Sequence, residues 1–447
     1  MTECNAQIAL DFHPQLGIDV SFDAPEISSD GGVIVLRQID DGLGLTAGFS
    51  ACLPDERDRT RIQHDRREQT RQRIYQIALG YEDCNDADTL RCDPLLKTVC
   101  DRTPNDPVGL SSQPTLSRFE NAMDGVTLRR LSAWLEQSYV DSLPSSTEVV
   151  VLDIDSTADE THGAQQLSFF HGFYDHHMYH PLLVYDGETG ELISALLRPG
   201  NSHDSRGAGN VLRRIIRRLR RRFPELGIVV RGDAGFAMPK LMSLLETLNV
   251  DYVLGIAKNS RLKGLARETM VTAQELAEHL GRTVRRYTSF EYAAGSWPHT
   301  RHIVAKAEHS ALGSNPRFVV TTLTGFDAET IYRAYVQRGR CELYIKDFKC
   351  ALSADRLSCS SYLANSFRLY LHMAAYRLML AFRQHVGSVS TSLGRAQFDT
   401  LRLRLLKIGA IVQQSVRRIW IRLSRSHPGC AVLASLLQPA HAPPVPA

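Results

Sequence analysis

The sequence predicts an α/β fold whose central sheet mixes parallel and antiparallel pairing, and three observations lead to it. The runs EVVVLDID (148–155), GIVVRGDAGF (227–236) and DYVLGIAK (251–258) are short and rich in β-branched residues, as buried strands are. Helical stretches precede the second and third of these runs, at roughly 205–223, stopped by Pro224, and at PKLMSLLETLN (239–249), opened by Pro239. HPLLVYD (180–186), GETG (187–190) and ELISALLRPG (191–200) read as strand, turn and strand, an antiparallel hairpin. The order strand, hairpin, helix, strand, helix, strand is that of an α/β sheet with mixed pairing.

Ahead of this sheet, residues 1–49 read as irregular apart from a β-like run, GGVIVL (31–36). From 57 to about 81, apolar and charged positions alternate at helical spacing, with Ile74, Ile77 and Ala78 as an inner stripe and a dense arginine face outward. Pro94 opens another helical stretch. In SSQPTLSRFENAM (111–123), Ser112 is placed to N-cap a helix and Pro114 falls early in it, where a missing N–H costs little. TLRRLSAWLEQSYV follows as an amphipathic helix. Residues 50–143 are therefore expected to form an all-α domain with basic outer faces. Thr115, Ser117 and Arg118, near a helix N-terminus, are candidates for DNA contact.

The sheet domain is expected to span 145–385, interrupted at about 259–316 by a β-rich insertion. A short helix, AQELAEHL (273–280), and the alternating stretches TVRRYTSFEYAAGSW and TRHIVAKAEH make up that insertion. RFVVTTLTG (317–325) is one more strand, and Asp327 is placed to cap the helix after it. SSYLANSFRLYLHMAAYRLMLAFRQHV (360–386) is a long apolar core helix. A C-terminal basic helical region, 386–437, contains LRLRLLKIGAIVQQSVRRIWIRLSRSHP (401–428), read as a helix with Leu403, Leu406, Ile411 and Trp420 inward. The Pro-rich end, 438–447, is expected to be a disordered tail.

With 447 residues, 43% of them hydrophobic, the chain can build two or three domains. No run of about eighteen apolar residues occurs and the N-terminus lacks a basic stretch leading into an apolar one, so no membrane partner and a cytoplasmic location are expected. Nine cysteines form no C-x-x-C pair, which argues against zinc and a disulfide framework and for free thiols. The net charge of +3 hides segregation: residues 1–30 hold six acids and no Lys or Arg, while 400–447 hold seven Lys or Arg and no acid. The segment LRRIIRRLRRRF (212–223) carries seven arginines. Local basic patches on a nearly neutral protein suit a polyanionic partner such as nucleic acid.

Three carboxylates stand out. Asp155 in LDIDST ends the first core strand and Asp233 in VVRGDAGF ends a later one, where ligands of α/β sheets are met. The third, Glu342, lies in YVQRGRCELYIKDFK (335–349). On an ideal helix Tyr335, Arg338, Glu342 and Lys349 fall at about 0°, 300°, 340° and 320°, one narrow sector. Carboxylates without a Cys or His-pair motif make a hard-oxygen site. Mg²⁺ or Mn²⁺ suits it, and two ions about 3.5–4 Å apart can act on a phosphodiester.

These motifs resemble those of the DDE transposases of bacterial insertion sequences: D-S-T after the first strand, GDAGF after the later one, and the complete Y-x2-R-x3-E-x6-K signature. PGNSHDS (199–205) also resembles a stretch common in these enzymes. The resemblance is close over roughly 145–380 and looser on either side. It implies an RNase H-like catalytic domain in which Asp155, Asp233 and Glu342 hold two Mg²⁺ or Mn²⁺ ions and are catalytic. It implies too that Tyr335, Arg338 and Lys349 hold phosphates near the transposon end, for which a planar Arg fork and a point-charge Lys are suited. Asp233 and Glu342 lie 109 residues apart, which resembles the subgroup with a β-rich insertion that cuts both strands through a hairpin intermediate. Trp297, in AAGSWPH, would then stack on a flipped base. The family's first motif usually reads D-D-T or D-T-T, so Ser156 is a departure, although Thr157 is kept. Asp155 is taken as the first ligand, with Asp153 as the alternative.

The implied function is a transposase that binds terminal inverted repeats through the N-terminal helices and other basic surfaces, then cleaves and transfers strands. Its partners would be double-stranded DNA at the transposon ends and target, and a second copy of the chain in a homodimer. Two other classes compete. An RNase H-like nuclease would cut without strand transfer, which an assay for joined products detects. A non-catalytic DNA-binding protein derived from a transposase would have no need of three intact acids.

Overall fold

The computed structural model describes residues 8–438 and groups them into two units. One comprises residues 8–50, 55–119 and 381–438, and the other residues 51–54 and 120–380. The expected disordered tail lies, beyond Gln438, outside the described residues.

The first unit departs from the sequence reading at three places. The run GGVIVL opens a helix, Val33–Leu43, instead of a strand, with Val33, Val35, Leu36 and Ile39 buried and Gly44 closing it at φ 62°. Gly31 and Gly32 donate to the carbonyls of Ile408 (2.7 Å) and Leu406 (3.1 Å), an approach so close that a side chain on Gly32 would overlap the backbone at Leu405. Tertiary packing thus overrides the β-branched composition. The helix Arg66–Leu79, capped by Asp65, does bury Ile74, Ile77 and Ala78, but its arginines do not all face outward. Arg71 and Arg73 are buried, Arg71 against Asp40 and Asp101 and Arg73 on the carbonyl of Glu82.

The third departure is the C-terminal region. Past a helical turn ending at Leu406, the chain forms a hairpin of Ala410–Gln414 and Ile419–Leu423, whose first strand also pairs with Ile27–Ser28. Gly409 and the polar turn 415–418 bracket it, and Ala410 and Val412 are buried in the alternation of a strand. Leu403 and Trp420, expected inward on a helix, are exposed. The eight cysteines of the described residues are free thiols.

The second unit is built on a nine-stranded mixed sheet. Its strands are β1 (Val149–Ser156), β2 (Leu182–Asp186), β3 (Leu192–Leu196), β4 (Gly227–Gly232), β5 (Asp251–Ile256), β6 (Val284–Tyr292), β7 (Arg301–Ser310), β8 (Gly313–Ser314) and β9 (Arg317–Thr321). They lie in the order β6-β7-β9-β5-β4-β1-β2-β3, with β8 on β7. β4 pairs in parallel with both β1 and β5, and the remaining pairings are antiparallel. The stretch expected as a β-rich insertion therefore extends the central sheet through β6 and β7, together with helix Arg267–Leu280.

The helices of this unit that matter for the site are α1 (Gly125–Ser142), α2 (Ala208–Arg222), α3 (Pro239–Thr247), α4 (Ala328–Val336) and α5 (Gly339–Lys346). Leu152 and Ile154 of β1 and Ile228 and Val230 of β4 pack with Leu212 and Ile215 of α2 and Leu245 of α3. On the opposite face, Val253 and Val319 pack with Ile331 and Tyr332 of α4. Four of the seven arginines in 212–223 are bound within the unit: Arg214 to Glu136 (2.6 Å), Arg218 to Gln137 (3.2 Å), Arg220 to the carbonyl of Pro224 (3.0 Å) and Arg222 to that of Leu143 (3.0 Å). Much of this basic run clamps α2 to α1 and its neighbours.

The segment 335–349 is not one regular helix. α4 ends at Val336, and the N–H groups of Arg338, Arg340 and Cys341 bond to carbonyls three residues back. α5 follows, and a wider turn, Asp347–Ala351, bonds at five-residue spacing. A tight turn advances ~120° per residue and a wide one less than 100°, so the single narrow sector of the ideal wheel does not survive.

Candidate active site

Side chains alternate between strand faces, so Asp153 and Asp155 on β1 and Val229 and Arg231 on β4 point the same way, toward α4 and α5. Asp233, just past β4, continues that parity. β1 and β4 are adjacent and parallel, so their C-terminal ends bring Asp155 and Asp233 together. Each carboxylate is fixed by local backbone: Asp155 Oδ1 accepts from Ser156 N (2.9 Å), and Asp233 Oδ1 from Gly235 N (2.9 Å).

The other oxygens face Arg338. Its Nη2 donates to Asp155 Oδ2 at 2.8 Å and lies 3.9 Å from Asp233 Oδ2. Asp155 is 8% exposed, whereas the Asp233 side chain is 44% exposed. Burial pushes the Asp155 carboxyl up to about 6, and the charges of Asp233 and Glu342 add to the rise while Arg338 opposes it. Burial works against the Arg338 charge, but Asp155 and Asp233 hold its pKa above the ordinary value.

Glu342 is exposed in the first turn of α5. Tyr335 is half-buried, with its hydroxyl against the backbone of Gly255, and burial raises its phenol. Lys349 donates to the carbonyl of Ala158 and lies 3.5 Å from Asp159 and 3.9 Å from Asp355. Burial lifts Asp159 to about 7, with Lys349 pulling the other way. Asp153 is engaged elsewhere: its two oxygens accept from Arg231 Nε (2.6 Å) and Nη2 (2.8 Å) in a fully buried pair, and Arg231 also reaches the carbonyl of Ala334 on α4.

The remaining candidates have partners of their own. Trp297 lies between β6 and β7, edge-on to Tyr292, with the Arg301 guanidinium 5.3 Å from its ring centre. Arg301 is itself bonded to Glu246 (2.7 Å). Thr115, Ser117 and Arg118 lie on the helix Gln113–Asn121, where Arg118 is exposed and donates to Thr115 Oγ1 (3.4 Å).

Asp204, inside PGNSHDS, is a site residue whose chemical role sequence reasoning missed. Its Oδ1 accepts from Ser156 Oγ (2.8 Å), and its carboxylate fills the space that a side chain on Gly235 would take. It therefore touches the turn beside Asp155 and the turn beside Asp233 at once. Buried Arg198 shapes the loop that presents it, donating to the carbonyls of His180, His203, Asp204 and Arg206. The signal was present in the motif itself, a glycine and three polar residues ahead of an acid.

Among the described residues no three His, Cys, Asp or Glu side chains are close enough to hold one metal ion. The donor chemistry nonetheless fits a hard divalent cation: Asp155 and Asp233 present oxygen only, and a cationic guanidinium already faces both.

A family model described as transposase DDE domain group 1 matches residues 12–442. Among solved structures, a cryo-EM piggyBac transposase synaptic complex with hairpin DNA is similar at a TM-score of 0.43 and 12% identity, over 85% of this chain and 80% of that one. No curated protein matches the chain. Among the described residues, no helix is long and apolar enough to cross a membrane.

Proposed function

The chain belongs to the DDE transposase family, group 1, across residues 12–442, and on that premise we propose that Asp155, Asp233 and Glu342 are the catalytic carboxylates of an insertion-sequence transposase. The observation that carries this reading is the meeting of Asp155 and Asp233 at the ends of adjacent parallel strands, against one guanidinium. The strand order β3-β2-β1-β4-β5, with β2 running against the others, supports an RNase H-like core.

Asp155, Asp233 and Glu342 would hold two Mg²⁺ or Mn²⁺ ions, which when bound stabilise the charge building on a phosphodiester and its leaving oxygen. The chain's own groups set the stage for that reaction. Ser156 N–H and Gly235 N–H orient the two aspartates. Arg338 leaves the carboxylates to pair a DNA phosphate, where its planar fork suits two oxygens. Tyr335, on the turn before it, adds a hydroxyl to the same phosphate contact. Lys349, held by Asp159 and the carbonyl of Ala158, steadies the chain just past β1 and reaches DNA only if it exchanges those partners. In cleavage, a water oxygen bonds to phosphorus as the P–O3′ bond breaks and frees a 3′-OH. In joining, the oxygen of that 3′-OH bonds to a target phosphorus as the target's own P–O3′ bond breaks, and the released O3′ takes up the proton.

The partners are double-stranded DNA at the transposon ends and target, bound by a homodimer with one catalytic unit for each end. Thr115, Ser117 and Arg118 and the other basic surfaces would grip the inverted repeats, and Trp297 would stack on a flipped base after parting from Arg301. The test is an assay of joined products from DNA carrying the element's own ends. Asp155→Asn and Asp233→Asn should abolish cutting and joining with DNA binding kept. A wild-type chain that cuts and never joins would be a nuclease instead.

A further inference from the structure

The arginines of this chain fall into two sorts. Those of Arg66–Leu79 and α2 are largely engaged with carboxylates and carbonyls of their own unit. Those of the C-terminal hairpin are not. Arg417 and Arg418 at its turn and Arg422 on its outer strand are exposed, and their guanidiniums have no partner among the described residues. An unpaired guanidinium on a rigid element is a poor contributor to stability and a good ligand for a phosphate.

The hairpin's two faces differ. Register pairs Val412 with Ile421 and Ala410 with Leu423 on the side turned to the core, and Gln413 with Trp420 and Ile411 with Arg422 on the other. The outer side thus carries Gln413, Trp420 and Arg422, with Trp420 41% exposed and Val416 fully exposed at the tip beside the two arginines. Ile419–Leu423 is an edge strand of its three-stranded sheet, and no acidic residue occurs from 400 onward. From Arg418 to Arg422 the ribbon advances about 14 Å at ~3.4 Å per residue. Duplex DNA carries one charge per ~1.7 Å of axis, so each guanidinium finds a separate phosphate. A two-stranded ribbon is also one of the few elements that fit the major groove.

We infer that the hairpin 410–423 is a DNA-binding ribbon that lies on the duplex through Arg417, Arg418 and Arg422, with Trp420 and Gln413 turned toward the groove. The inference rests on the transposase reading and adds to it a named surface for the duplex.

The experiment compares the full wild-type chain with the triple variant R417A/R418A/R422A on mixed-sequence duplex DNA, measuring affinity against salt concentration. Removing three phosphate contacts should make the slope of log affinity against log salt shallower by ~2.7, and should lower affinity at low salt by about 10²-fold. The corresponding triple lysine variant should restore the slope, and thermal melting should be unchanged because the replaced groups make no internal bonds. An unchanged salt slope overturns the proposal. The same pair of proteins is titrated on phosphatidylserine vesicles, and a loss confined to the vesicles also overturns it, by making the ribbon a membrane contact. Failure of the catalytic reading shows in a different place: Asp155→Asn would keep cutting DNA, whatever the salt slope.

Discussion

The guanidinium of Arg338 is bonded to the very carboxylate, Asp155, that the metal reading needs, at 2.8 Å, and it approaches Asp233 as well. A divalent ion held by these carboxylates would therefore compete with the arginine for the same oxygens. Arg338→Ala should tighten Mn²⁺ binding by the chain alone by about tenfold, ~1.4 kcal/mol, while weakening DNA binding and flattening its salt dependence. A manganese titration followed by electron paramagnetic resonance checks the first effect. Unchanged Mn²⁺ affinity would show that the guanidinium does not compete.

Lys349 makes a prediction about pH. Asp159 is raised to about 7 by burial, so its favourable contribution is complete below the ordinary carboxylate range and is lost as pH rises through 7. At pH 8 the ionised Asp159 depends on Lys349, whereas at pH 5 the protonated acid does not. Lys349→Met should therefore destabilise the chain by about 3 kcal/mol at pH 8 and by roughly 1 kcal/mol or less at pH 5. Melting curves at the two pH values measure this. An equal loss at both would mean that the pair carries no such linkage.

Asp204 joins the turns that hold the two aspartates. Gly235→Ala places a methyl against its carboxylate, and Asp204→Ala removes the acceptor of Ser156 Oγ. Both should slow strand cleavage by about 10- to 100-fold, the usual cost of losing a partner that orients a ligand. Asp204→Asn, which still accepts from Ser156, should retain most of the rate. Wild-type cleavage by Asp204→Ala would remove the residue from the account.

How far the sequence was legible depended on whether local pattern and tertiary packing agreed. β1, β4 and β5 were readable because each is a short β-branched run, and their order between 148 and 258 matches the structure. Asp155 and Asp233 could be paired in advance because strand ends in such sheets meet. The geometry of 335–349 could not, since a tight turn at Gln337–Arg338 and a wide one at Lys349 leave no mark in composition. Arg71 looked like surface because its acids, Asp40 and Asp101, are distant in sequence. Arg231 and Asp153 pair across two strands for the same reason, which leaves Asp153 occupied. At 410–423, alternating and helical periods both fit the apolar positions, and the contact with Ile27–Ser28 decides between them.

The central claim is that Glu342, drawn from a helix beyond the last strand, completes a metal site with Asp155 and Asp233. The most direct measurement is strand cleavage by Glu342→Gln protein in Mg²⁺ on DNA bearing the element's ends. The account predicts cleavage lost by at least ~10³-fold, ~4 kcal/mol or more of barrier, with DNA affinity within about threefold of wild type. Full cleavage by that variant would contradict it.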